Sequence, residues 1–185
     1  MLVSGPEGSD TVEGKLPVPE TSHSTPLIAL DAVALDTETT GLDARQARLV
    51  QVAALPLAGG RMRLDDRFER LVNPGMPIPP AVVAVHGITD AKVADAPRFA
   101  DIAGNLEAYI GRAIVIGYAI RYDVAVLERE YALAGRPVPR FRALDVRTLA
   151  QLAAPALADY TLEALCEWLG VKIRGRHSAL GEQRR

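Results

Sequence analysis

Cysteine is almost absent. Cys166 is the single one, so no internal disulfide can form, and a reducing cytoplasm is the expected setting. Its place in the run Leu162, Leu165, Leu169 marks it as a core residue rather than a nucleophile, with Trp168 expected on the same buried stripe. No apolar stretch approaches the roughly 18 residues of a membrane span, and Met1 to Thr25 has neither the basic start nor the apolar centre of a secretory signal. A soluble, cytoplasmic protein with no membrane partner is expected. Histidines and cysteines at short spacing are missing, which excludes a zinc site. Lysine is scarce, three residues against eighteen arginines, and the formal net charge is −2. That balance excludes a broad basic surface for indiscriminate duplex binding. The arginine excess suits phosphate recognition and equally follows from a GC-rich coding bias.

What is present is a chain of 185 residues, 49% hydrophobic and 24% charged, enough for one globular domain with a sizeable core. Residues 1–26 are rich in Gly, Pro, Ser, Thr and acids without hydrophobic periodicity, and read as a disordered leader or linker; the domain proper is 27–185. Ala32 to Leu35 reads as a buried strand. Arg48 to Leu57 and Arg61 to Val72 read as two more, joined at the hairpin signal Ala58-Gly59-Gly60. Prolines make Asn73 to Pro80 a loop. Pro97 opens a helix through about Ile110, Ala113 to Gly117 is a short buried strand, and Tyr122 to Ala134 is a helix stopped by Gly135. Leu144 closes a fifth strand ahead of a helix at Val146 to Ala153, and Thr161 N-caps a last helix to Leu169. A three-strand meander followed by alternating strands and helices predicts an α/β fold: a mixed five-stranded sheet with helices on both faces.

The chemistry concentrates in Asp36-Thr37-Glu38-Thr39-Thr40-Gly41-Leu42. Side chains two apart on a strand share a face, so Asp36 and Glu38 meet at the strand end and repel unless a cation lies between them. Hard oxygen ligands select Mg²⁺ or Mn²⁺. For an isolated Asp-x-Glu the plain alternative is a turn with solvated acids. Asp123 begins a helix, where a carboxylate also suits the helix dipole.

This heptapeptide resembles the first motif of the DnaQ-like 3′-5′ exonucleases, members of the ribonuclease H-like superfamily with an Asp-Glu-Asp-Asp acid set. Further segments resemble the family in order and spacing. They are Leu49-Val50-Gln51-Val52-Ala53-Ala54, Leu71-Val72-Asn73-Pro74, Val85-His86-Gly87-Ile88-Thr89, Gly117 to Asp123, and His177-Ser178-Ala179-Leu180-Gly181-Glu182. The resemblance implies a ribonuclease H-like fold and two divalent ions, Mg²⁺ or Mn²⁺, held by Asp36, Glu38, Asp123 and Glu182. It implies His177 as general base, which places the chain in the histidine branch. It also implies that a single-stranded nucleic acid 3′ end is the partner, with Thr39, Thr40, Leu42 and Tyr122 around its terminal nucleotide. His86 either contacts that nucleotide or holds its own loop in place. A polymerase or fused domain is a further partner of such proteins, although no peptide for one is recognisable.

Three departures from the pattern stand out. Glu182 occupies the place of the fourth aspartate, and its extra methylene moves the carboxylate by about 1.5 Å. Tyr118 and Ala119 replace a His-Asn pair, and Tyr122 stands where the family has phenylalanine. The chain ends three residues after Glu182, so the domain is expected to be truncated at its C-terminal helix, with activity weakened. The alternative function is a catalytically weak nucleic-acid-binding module that keeps the exonuclease fold inside a larger protein.

Overall fold

In the computed structural model, which describes residues 26–172, the second strand organises the sheet. The leader (Pro26 apart), His177 and Glu182 lie outside the described residues. Strand β1 (Ala32–Thr39) pairs antiparallel with β2 (Leu49–Ala58), setting Asp36 opposite Ala53 and Glu38 opposite Gln51, with a register shift between Glu38 and Thr39. The far edge of β2 carries two pieces, β3 (Arg61–Met62) and β4 (Phe68–Leu71). Beyond β1 lie β5 (Ile114–Gly117) and β6 (Arg142–Asp145), both parallel to it in direction.

The sheet therefore has six strands where five were expected, because the ribbon predicted over 61–72 is broken. Arg63 N–H still reaches the Pro56 carbonyl, but an Asp66-to-Arg63 turn then lifts the chain off the sheet until Phe68. The hydroxyl of Tyr109 secures this break, its one proton lying within hydrogen-bond reach of the carbonyls of both Asp66 and Ala54. The hairpin at Gly59 and Gly60 is as predicted, both glycines having positive φ.

A 3₁₀ turn (Leu27–Ala29) and six α-helices complete the described chain: α1 (Pro80–His86), α2 (Asp90–Val93), α3 (Phe99–Ile110), α4 (Arg121–Leu133), α5 (Val146–Ala153) and α6 (Leu162–Trp168). The first two were not anticipated. Pro80 starts α1 at a position where a missing N–H costs nothing, and the turn closes on Gly87 at φ 70°. Asp145 and Thr161 cap α5 and α6 by accepting the backbone N–H groups of Arg147 and Ala164. In α6 the expected apolar stripe is buried at Leu165 alone; Cys166 is half-buried, and Trp168 and Leu169 are exposed.

Alternation along β1 sorts the two faces. Val33 and Leu35 point into the main core with Val52, Ala54 and Val115, under Phe99, Ile102, Leu106, Val126, Leu127 and Tyr131 of α3 and α4. Each fully buried Leu or Ile there contributes about 1.5–3 kcal/mol. The edge-on contact of Phe99 with Tyr131, at 5.0 Å between centroids, joins the two helices. On the other face, Ala32, Ile114, Ile116 and Leu144 line an apolar cavity with Leu149 of α5, while Val50, Ile78, Ile88 and Val93 form a smaller core under α1 and α2. Helices thus cover both faces, as the element order predicted. Among the described residues no helix is long and apolar enough to cross a membrane.

Candidate active site

The period-two alternation that buries Val33 and Leu35 continues to the end of β1, placing Thr37 and Thr39 on the side of α3 and α4 and Asp36 and Glu38 on the opposite side. The two acids thus share a face, as their spacing required. Helix α4 then brings in the third acid. Asp123 lies in its first turn, 6% exposed, and accepts a 2.6 Å hydrogen bond from the Thr37 hydroxyl. Thr37, assigned no role from the sequence, is therefore the residue that orients the third. Period two would have pointed to it, since a residue between two site-facing acids faces the helices.

The carboxylates lie close enough for like charge to oppose the ionisation of Glu38 and Asp123. Burial, then the charges of Asp36 and Asp123, push Glu38 up to about 7. Burial pushes Asp123 to about 7 as well; the Thr37 hydrogen bond works against that rise and the Asp36 charge adds to it. Asp36 reaches solvent at the mouth of the site, yet the protein packed around it raises its carboxyl, with the Thr37 N–H partly offsetting this.

A second set of contacts ties the turn after β1 to α4. The Tyr122 hydroxyl lies 2.6 Å from Thr39 Oγ1 and donates to the Gly41 carbonyl, which also accepts from Thr39 at 2.7 Å. Thr39 and Tyr122, both predicted around the substrate, are thus bonded to each other. Thr40 pairs with Arg48: its N–H reaches the Arg48 carbonyl at 2.9 Å, and its hydroxyl oxygen accepts the Arg48 N–H at 3.0 Å. Glu130, 2% exposed, takes Arg48 Nε at 2.7 Å, Arg48 Nη2 at 3.1 Å and the Leu49 N–H at 3.0 Å. Seven residues separate Glu130 from Asp123, two helical turns on one face of α4. Sequence reading missed this pair, whose only signal was a charge beside the apolar stripe Val126, Leu127, Tyr131. Leu42, next in the turn, is 91% exposed.

The remaining candidates sit at the periphery. His86 ends α1, buried, with Nδ1 accepting the Ile88 N–H at 3.0 Å, an interaction that holds the His-Gly-Ile loop. Asp145 caps α5 and accepts the Ala119 N–H at 3.3 Å. Ala119 has φ 52°, the left-handed region that alanine adopts at a cost. Asp43 organises its own turn, accepting from Arg45 and Gln46.

The donor set of Asp36, Glu38 and Asp123 fits a hard divalent cation: three carboxylates raised by burial, Glu38 and Asp123 also by like charge, with no thiolate or imidazole. Among the described residues, no group of three His, Cys, Asp or Glu side chains closes around one point. An ion here would draw part of its shell from water, substrate oxygens or residues beyond 172, as Mg²⁺ commonly does.

Comparison with known proteins points to one family. The profile of a family described as "Exonuclease" matches residues 33–181. A DNA polymerase III subunit epsilon-like protein of Rhodobacter capsulatus is 38% identical over 161 residues, covering 85% of this chain and 23% of the relative. A DNA polymerase III subunit epsilon of Treponema pallidum is 29% identical over 153 residues, covering 82% of this chain and 70% of its own. The chain spans 12% of a PolC-type DNA polymerase III of Halalkalibacterium halodurans, at 25% identity. Among solved structures, exonuclease X in complex with 5′ overhanging duplex DNA superposes with a TM-score of 0.62 at 25% identity, covering 83% of this chain and 81% of that one. Escherichia coli exonuclease I in complex with a dT13 oligonucleotide shares the fold, with a TM-score of 0.71 at 17% identity over 82% of this chain and 38% of that one.

Proposed function

Because the chain belongs to the DnaQ-like exonucleases of the ribonuclease H-like superfamily, we propose that it hydrolyses phosphodiester bonds stepwise from the 3′ end of single-stranded DNA or RNA, releasing nucleoside 5′-monophosphates. The observation that carries this reading is the gathering of Asp36, Glu38 and Asp123 at one strand end, where burial and like charge oppose their ionisation. Asp36, Glu38, Asp123 and Glu182 would hold two divalent ions, Mg²⁺ or Mn²⁺. When bound, these supply positive charge to the scissile phosphate and activate water for attack.

The chain's own groups do the rest. Thr37 holds the Asp123 carboxylate in one orientation through its 2.6 Å hydrogen bond. His177 takes the proton of the attacking water, a task suited to an imidazole near neutral pH. Leu42 packs on the terminal base, and Thr39, Thr40 and Tyr122 set the turn that presents it, with His86 contributing through its loop. The family's chemistry needs only the last nucleotides of a strand, which is consistent with a net charge of −2. Two further parts of the reading are a cytoplasmic setting and, since the relatives are named as parts of DNA polymerase III, association with a polymerase.

The test is digestion of a 5′-labelled single strand, as DNA and as RNA, with Mn²⁺, Mg²⁺ or EDTA. A metal-dependent ladder shortening from the 3′ end is expected, reduced about a hundredfold or more in Asp36→Ala. Cleavage by Glu182→Asp alone would mean that the glutamate holds its ion poorly. No cleavage by either protein, with binding retained, would replace this reading with that of a nucleic-acid-binding module.

A further inference from the structure

Tyr122 carries a hydroxyl at the place where the family pattern has phenylalanine. Three oxygens close a triangle: Tyr122 Oη, Thr39 Oγ1 and the Gly41 carbonyl. The carbonyl only accepts and each hydroxyl has one proton, so two protons serve three edges. In every arrangement of those protons, Tyr122 keeps at least one hydrogen bond to the turn. The neighbouring residue is secured separately, Thr40 through both of its bonds to Arg48, and Arg48 through Glu130. Residues 39, 40 and 41 are therefore each anchored, and the next side chain is Leu42, 91% exposed.

A large apolar side chain standing in solvent is ordinarily free to lose itself in motion. Here Gly41 would favour that motion, since nothing lies within 4 Å of where a Cβ would stand and glycine has the widest backbone freedom. The triangle removes the freedom in advance, so ordering the turn is no longer a cost met when a ligand binds.

Resting on the exonuclease reading above, we propose that the Tyr122 hydroxyl is a positioning group that fixes the Thr39–Leu42 turn, so that Leu42 is preset to receive the terminal nucleoside of a single strand. Tyr122 acts through the turn, and its ring is not required to touch the ligand.

The experiment compares the parent, Tyr122→Phe, Leu42→Ala and the double variant on a 5′-labelled single-stranded oligothymidylate. Two quantities are read: KM and kcat with Mn²⁺, and Kd by fluorescence anisotropy in EDTA. Tyr122→Phe keeps the ring and loses only the hydroxyl. Its KM and Kd are expected to rise about three- to tenfold, the range of one net hydrogen bond, with a smaller change in kcat. Because the hydroxyl works through Leu42, the double variant should bind no worse than Leu42→Ala alone. A purely structural role would not produce that non-additivity. Additive losses, an unchanged KM, or a fall in kcat at constant KM would each overturn the proposal while leaving the exonuclease reading intact. A parent that neither binds nor digests the strand would end both.

Discussion

Ala119 shows what a single residue can cost. It sits between β5 and α4 at φ 52°, and its N–H reaches Asp145 at 3.3 Å, so the conformation is held from outside rather than preferred. Residues with a short polar side chain, or none beyond hydrogen, tolerate this region better. The family's asparagine at this place is thus the residue that the backbone asks for. Ala119→Asn is expected to stabilise the protein by about 0.5–1 kcal/mol, seen as a melting temperature roughly 1–4 °C higher by calorimetry. A lower melting temperature would show that space for the side chain, not backbone strain, governs the position.

At the scale of elements, the approach of β5 to β1 sets the position of α4 and therefore of Asp123. A Cβ on Gly117 would lie 2.8 Å from the Leu35 carbonyl oxygen and 2.8 Å from Ile120 Cδ1. Neither can yield easily, since one is backbone in the centre of the sheet and the other belongs to a fully buried side chain. Gly117→Ala should lower stability by about 1–3 kcal/mol, measured by urea denaturation, and should reduce exonuclease activity further as α4 shifts. An unchanged midpoint would mean that the strands can separate without cost.

The elements also differ in how readily the sequence betrays them. β1 was legible because an apolar run ends in acids of period two, and α5 was placed at Val146 to Ala153 because it follows the short strand that Leu144 closes. α1 was not, since seven residues are too few to show a helical period. The break between β3 and β4 has no glycine or proline to announce it, and Tyr109, 43 residues from Asp66, is what secures it. The same holds for the site. Asp36, Glu38 and Asp123 could be named from motifs, whereas Glu130 could not, because its partner Arg48 is 82 residues away and meets it only in the fold.

For the molecule as a whole, the raised carboxyls couple stability to pH and to metal. Glu38 rises from 4.5 to about 7, and Asp123 from 3.8 to about 7. The folded state therefore binds more protons than the unfolded chain between those values, and stability falls as pH rises. The contribution is fully present below about pH 4 and is lost on passing 7. In EDTA, the melting temperature should drop between pH 5 and pH 8 through these groups by roughly 4–8 °C, a loss of about 2 kcal/mol once solvent screening at Glu38 is allowed for. Mn²⁺ should restore more of it at pH 8 than at pH 5, because protons compete for the same oxygens. A flat profile in EDTA, or equal rescue at both pH values, would show that the three acids are not coupled in this way.

The break in the sheet's outer ribbon has a practical side. Between Met62 and Phe68 the chain leaves β2 where that strand pairs with the beginning of β1, roughly four strand residues, or about 13 Å, before Asp36. Leu64, Asp65 and Asp66 are exposed there. A fluorophore, an affinity handle or a tether to a surface could be spliced between Leu64 and Asp65, giving single-molecule observation a grip remote from the acids.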